Sequence, residues 1–348
     1  MKIKNIYYHE GFEKEPLLIL IHGYGASAKS WLDPYRETMG KGIIPFDLVL
    51  TDNRHPPDPF FFPFGKPIKN LSFSTPLRIM PNPPTGFWDF FKEKGYSLLT
   101  WDQSLPNGPI KIAVKELNII MEFAKDKAKG KDIIFLAHSR GGLIARKYIQ
   151  EKREFNTNVK ALIMLSTPNY GSRLAMMGNF LKSSTRFIEM LLPKELKEEK
   201  RLIIGGVEQF LNVFKDSAIE ELSPDSSFIK ELISNEEKEQ DKDIEYFNIV
   251  GTSPIFTRLY RIIDKGKKKT EEILSILGVI EKMAPSFLLP DEIKEGKGDG
   301  MVAYVRAMIP WIEGTHQWKM EGVNHGTLLV DEKVKEKVLE VVCGKVSK

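Results

Sequence analysis

The 348 residues predict an α/β fold, a mostly parallel β-sheet with helices packed on both faces. Short apolar runs rich in β-branched residues alternate along the chain with longer segments whose apolar residues recur at helical spacing. One such run, Leu17-Leu18-Ile19-Leu20-Ile21, is apolar at every position, as a strand covered on both faces must be. Another, Asp132-Ile133-Ile134-Phe135-Leu136, is followed by a tight turn and then by Leu143–Ile149 at helical spacing, so strand, sharp turn and helix follow one another directly.

Taken in order, residues 3–8 alternate like a first strand and 17–22 form a buried one ending in His22-Gly23-Tyr24-Gly25. Residues 28–39 predict a helix containing Trp31, and 46–51 a strand. Residues 53–86 are dense in Pro and Phe, which forbids a long helix and predicts an extended excursion; its phenylalanines pack across the core or form one wall of an acyl pocket. Residues 96–101 resume the strand pattern, and 110–128 place Ile112, Leu117, Ile120, Met121 and Ala124 on one helical face. After the strand–turn–helix at 132–149 comes a buried strand at 159–165, ending in Ser166-Thr167-Pro168-Asn169-Tyr170-Gly171-Ser172. Residues 173–243 break the alternation and read as helices at 173–192, 195–216 and 225–238, the first rich in Met, Leu and Phe. The strand pattern returns at 245–250. A second insertion, about 253–295, carries Ile273, Leu274, Ile276, Leu277 and Ile280 on a helical stripe over 270–283. Residues 315–321 predict the last strand and 331–343 the last helix.

Composition bounds the function. The length allows one large domain with insertions, or two domains. A net charge of +4 is too small to argue for a nucleic-acid partner. The single cysteine, Cys343, rules out an internal disulfide, and its place near the end of a helix suggests packing. Abundant Lys and Glu are compatible with a thermophilic source. The N-terminal stretch lacks the apolar segment of a signal peptide and no run is long enough to span a bilayer, so the chain reads as cytoplasmic.

The stretch Ala137-His138-Ser139-Arg140-Gly141-Gly142 joins the strand to the helix. Its small residues two places either side of Ser139, Ala137 and Gly141, allow strand and helix backbones to approach closely. This is the setting of a nucleophile elbow, a serine held on a strained turn with its hydroxyl exposed above the sheet. The chain here resembles the α/β-hydrolases, and within them the bacterial lipases and esterases whose elbow reads A-H-S-x-G-G. The Thr167–Ser172 turn is similar to the T-P-N-x-G-S turn of the same lipases.

That resemblance implies an acyl-transfer site in the order serine, acid, histidine. A serine hydroxyl needs a base, and the base an orienting group. After Ser139 only His316 and His325 remain. The loop Glu321–Leu329, beyond the last strand, is where the superfamily places its base, which implies His325. Asp264, Asp291 and Asp299 are candidate acids; Gly298-Asp299-Gly300-Met301-Val302 is similar to a G-D-G-x-V segment of the lipases that carries the triad acid, which implies Asp299, with Asp264 as runner-up. The oxyanion donors implied are the main-chain N–H groups of Tyr24, from the H-G-x-G pattern, and Arg140. His22 is expected to brace its loop and His138 to point away from the substrate. The 173–243 segment is expected as a lid between two parts of the core, 1–172 and 244–348. No cofactor or metal is expected: Asp52, His55 and Asp58 are evenly spaced in a Pro-rich loop, and the segment Gly326-Thr327-Leu328 lacks the aspartate that ligates calcium in some related lipases. The implied function is hydrolysis of carboxylic esters, with an acyl-ester or lipid substrate. Thioesterase, amidase or acyltransferase chemistry on the same triad, and a non-catalytic binding protein of the same fold, are the alternatives.

Overall fold

The computed structural model describes residues 3–12, 14–34, 37, 48–50, 85–151, 158–176, 217–254, 258–264, 269–275 and 289–346. The strands are β1 (Ile6–His9), β2 (Leu17–Ile21), β3 (Leu48–Leu50), β4 (Ser97–Trp101), β5 (Ile133–His138), β6 (Val159–Leu165), β7 (Glu245–Gly251), β8 (Arg258–Asp264), β9 (Lys269–Ser275) and β10 (Gln317–Met320). Seven of them make one sheet in the order β1-β4-β2-β5-β6-β7-β10. β1 runs antiparallel to β4, and every other neighbouring pair is parallel. The expected mostly parallel sheet is present, and its central strands are the continuous apolar runs of the sequence.

The pleat sends alternate residues of β2 to opposite faces. Leu17, Ile19 and Ile21 join one buried cluster and Leu18 and Leu20 the other. The helices that cover the sheet are α1 (Lys29–Leu32), α2 (Phe87–Glu93), α3 (Ile110–Ala128), α4 (Arg140–Glu151), α5 (Ser227–Ser234), α6 (Glu237–Gln240), α7 (Tyr304–Ala307) and α8 (Glu332–Val346). Helices α3 and α4 lie on the first face. Ile110, Ala113, Leu117, Ile120, Met121 and Ala124 of α3 are buried there at helical spacing, whereas Ile112 is only half-buried. Helices α2 and α8 cover the second face through Phe87, Phe91, Val334, Val338 and Val342.

Several sequence expectations change. Residues 269–275, expected at the start of a helical stripe, form strand β9, antiparallel to β8, and β8 is parallel to β3. The strand expected at 46–51 therefore belongs to a second, three-stranded sheet. Spacing alone could not separate the alternatives, because a short apolar run fits a strand or a helix turn equally well. Within the segment expected as a lid, Ile219, Leu222, Ile229 and Leu232 enter the same cluster as α3 and α4. The Ser226 hydroxyl caps α5 by accepting from the Ile229 N–H at 3.1 Å. The helix expected at 173–192 begins with a 3₁₀ turn, Arg173–Met176, and its remainder lies outside the described residues, as do the helix expected at 195–216 and nearly all of the Pro-rich excursion. Cys343, expected to pack, is exposed, although its Sγ lies 3.5 Å from the Tyr96 hydroxyl. Among the described residues no helix is long and apolar enough to cross a membrane.

Candidate active site

Ser139 lies between the last residue of β5 and the first of α4, with φ of +55°. That left-handed conformation is costly for a residue with a Cβ, so the surroundings must hold it. They do so by backbone hydrogen bonds: the Ser139 N–H donates to Leu165 O at 2.8 Å, and Ser139 O accepts from the Gly142 N–H at 3.0 Å. The glycines after the serine are there because nothing larger fits. A Cβ on Gly141 would collide with the carbonyl of Ile21, and one on Gly142 with the Thr167 side chain. On the facing loop, a Cβ on Gly23 would stand 2.9 Å from the Ser139 Cβ, so that glycine lets the 22–25 loop close on the elbow.

Asp299 and His325 come together from two loops at the same end of the sheet. His325 Nδ1 and Asp299 Oδ2 are 2.7 Å apart, and the Asp299 side chain is fully buried. Asp299 Oδ1 accepts from the N–H groups of Met301 at 2.9 Å and Val302 at 2.7 Å, so the carboxylate is satisfied on both oxygens. The His325 N–H also donates to Asp299 O at 2.9 Å, fixing the two loops to each other. Asn324 shapes the histidine loop, its Oδ1 accepting from the N–H groups of Gly326 and Thr327 at 3.0 and 2.8 Å. With Nδ1–H engaged by the carboxylate, the imidazole presents Nε2 as its acceptor. No hydrogen bond joins Ser139 Oγ to His325 among the described residues; such contacts often tighten only when substrate is bound. The residue before Ser139, His138, has its ring 4.6 Å from that of His325.

His138 turns toward His325, its Nε2 donating to the His325 carbonyl at 3.0 Å. Burial, and after it the neighbouring His325, push the His138 pKa well below the usual histidine value, so it is neutral. His22 braces its loop as expected: Nδ1 lies 3.1 Å from Gly23 O, and Nε2 accepts from the Gln103 N–H at 3.3 Å. The Arg140 N–H opens α4 at the elbow, and the Tyr24 N–H belongs to the loop that Gly23 brings against Ser139.

The other candidates lie elsewhere. Asp264 ends β8 in the three-stranded sheet, paired in register with Lys269. Asp291 faces Lys294 at 3.0 Å and Lys297 at 3.7 Å, and its hydrogen bond with Lys294 holds its carboxyl below the usual range. His316 packs on Phe247 with centroids 4.5 Å apart. Asp52, His55 and Asp58 lie outside the described residues, among which no group of His, Cys, Asp and Glu could hold a metal.

Sequence reasoning missed a layer of polar residues behind the site. Arg140 is fully buried, its Nη1 donating to Gln103 Oε1 at 2.9 Å and to Pro106 O at 3.0 Å, and its Nη2 to Gly108 O at 2.6 Å. Burial pulls the guanidinium down to about 10, against the opposing charges of Glu221, Tyr24 and Glu116, so it stays protonated at neutral pH. Glu116, also buried, accepts from the N–H and hydroxyl of Ser104 and from Trp101 Nε1. A signal was available: Glu116 interrupts the apolar stripe of α3. Arg146, on the same helix as Arg140, is fully buried, its Nε and Nη2 held by Glu239 at 2.9 and 2.7 Å and its Nη1 by Asn169 at 3.2 Å. Burial works against that charge, but Glu239 and Glu236 outweigh it and keep Arg146 protonated.

A parallel sheet with a strained serine between its central strand and a helix, and an acid and histidine on later loops, can be compared with known structures. The lipase BlEst2 of Bacillus licheniformis, in its mature form, superposes with a TM-score of 0.52 at 14% identity, over 97% of this chain and 98% of that one. This chain has the α/β-hydrolase fold. The propeptide form of BlEst2 gives a TM-score of 0.50 at 14% identity, over 97% of this chain and 53% of that chain. The family described as a domain of unknown function, DUF7379, matches residues 113–261 of this α/β-hydrolase-fold chain, which include Ser139 and the Thr167–Ser172 turn. No curated protein matches the chain in sequence.

Proposed function

We propose that the chain is a serine hydrolase of carboxylic esters, with Ser139 as nucleophile, His325 as base and Asp299 as the acid that orients it. The observation that carries this reading is the 2.7 Å bond between His325 Nδ1 and the fully buried Asp299, and what supports it further is that Ser139, in the strand-to-helix turn, is held at positive φ. A buried carboxylate satisfied by two main-chain N–H groups fixes the tautomer that leaves Nε2 to accept the serine proton. Ser139 Oγ attacks the ester carbonyl as His325 Nε2 takes its proton. The carbonyl oxygen gains charge opposite the N–H groups of Tyr24 and Arg140. Collapse expels the alcohol, protonated by His325, and leaves an acyl-serine. Water, deprotonated by the same imidazole, then releases the acid.

The acyl side of the substrate is assigned from composition. The Met-, Leu- and Phe-rich sequence 174–192 offers apolar surface for an acyl chain and a cover for it, and from Met177 onward it lies outside the described residues. Each buried CH₂ contributes about 0.8 kcal/mol, so kcat/KM should climb from short to medium or long acyl esters. The test is a panel of p-nitrophenyl esters of increasing chain length, with matching thioesters and anilides, with and without a serine-directed phosphonate. Ester turnover abolished by the phosphonate is the expected result. Activity confined to thioesters or anilides would replace the ester assignment, and rates falling steadily from acetate would remove the acyl-pocket assignment.

A further inference from the structure

The Arg140 side chain is buried on the side of the elbow away from the Asp299–His325 pair, and its contacts lead to one place. Gln103 accepts from Arg140 Nη1 through Oε1 and, through Nε2, donates to His22 O at 3.0 Å. The Gln103 N–H also donates to His22 Nε2. Pro106 O accepts from Arg140 Nη1 at 3.0 Å and from the Gly25 N–H at 3.0 Å. Two bridges therefore leave one guanidinium group and arrive at the two ends of the same turn, His22 on one side of Tyr24 and Gly25 on the other. The guanidinium also stands 6.0 Å from the centre of the Tyr24 ring.

We propose that the Arg140 side chain is a positioning residue that holds the His22–Gly25 turn against the nucleophile elbow through Gln103 and Pro106. This rests on the ester-hydrolase reading, in which that turn and the Arg140 main chain supply the two oxyanion donors. One residue then carries one donor on its backbone and fixes the other with its side chain. The chemistry suits arginine: a planar group with several N–H donors can span two carbonyls and an amide oxygen at once, which a lysine ammonium on the same stem cannot match in geometry. No carboxylate lies within ion-pair distance of Arg140 among the described residues, so its hydrogen bonds are spent on neutral acceptors of the loop.

The test compares wild type with Arg140→Met, Arg140→Lys and Gln103→Met. The probes are a p-nitrophenyl ester and a trifluoromethyl ketone of the same acyl chain, which adds to the serine and places an oxyanion in the hole. Loss of a whole oxyanion donor lowers kcat about 10²–10³-fold; loosening one should lower kcat about tenfold or more, with KM within about twofold. Affinity for the ketone should fall by the same factor as kcat/KM, and Arg140→Lys should recover only part of the loss. Gln103→Met cuts one bridge with Arg140 in place, so it decides the matter if Arg140→Met does not fold. Folded variants with unchanged kcat, or with raised KM and unchanged kcat, overturn the proposal. Ser139→Ala is run in parallel: if it stays active, the hydrolase reading fails; if it is dead while the Arg140 and Gln103 variants are fully active, only the positioning role fails.

Discussion

His138 and His325 stand ring to ring, and the proton on His138 Nε2 is donated to the His325 main-chain oxygen at 3.0 Å. The residue before the elbow serine is thereby tied to the loop that carries the second histidine, and a charged His138 would face another imidazole in a buried setting.

That arrangement predicts a pH dependence of stability. Burial, and then His325, depress the His138 pKa in the folded chain below its ordinary 6.5. Below that value the unfolded chain binds a proton that the folded chain refuses, so stability is full above about pH 6.5 and falls as the pH drops. A His138→Gln variant, which can still donate to the His325 carbonyl, should show a flatter fall in Tm from pH 6.5 downward. Parallel curves for the two proteins would show that His138 is not the titrating group.

Ser139→Ala should lower ester turnover by several orders of magnitude and leave the thermal transition in place, because members of such a triad act as a unit. A purified, folded variant with more than about a tenth of the wild-type rate would reject Ser139 as nucleophile.

Asp299→Asn should lower kcat strongly, with about 10⁴-fold lost in the worked serine-protease case, because an amide cannot stabilise the imidazolium. Asp291→Asn, which alters a carboxylate occupied by Lys294 and Lys297, should keep near-wild-type kcat. Steady-state kinetics on both variants check this, and full activity of Asp299→Asn with an inactive Asp264→Asn would move the acid to Asp264.

Arg146→Met should destabilise the fold by about 3–5 kcal/mol, the cost of leaving a buried partner charge uncompensated. Glu239, which that change strands, is fully buried. Adding Glu239→Leu should restore much of the loss, and urea unfolding of the single and double variants measures both. Equal losses in the two would show that the ion pair itself, rather than the orphaned carboxylate, sets the energy.

The main sheet was legible because strands covered on both faces must be apolar at successive positions, and Leu17–Ile21 and Ile133–Ala137 are. Strands β8 and β9 were not, since β3, the parallel partner of β8, lies far back in sequence and the apolar spacing of β9 also fits a helix. At the site, Ser139, Asp299 and His325 each stand in a motif with its own local grammar, and the last two meet in the structure. Gln103 and the Arg140 side chain do not: their meaning lies in contacts between loops that chain order keeps apart. Arg140 looked like the variable position of its motif, and only its burial shows otherwise.

The Ser172 N–H donates to Leu222 O at 2.7 Å, so two positions far apart in the sequence are tied by one main-chain hydrogen bond. The ends of the intervening sequence are thereby held together. The entropy of closing a loop grows only with the logarithm of its length, about 0.6 kcal/mol for each doubling. The number of residues between Ser172 and Leu222 can therefore change at little entropic cost while the main sheet and the Asp299–His325 pair stay as they are.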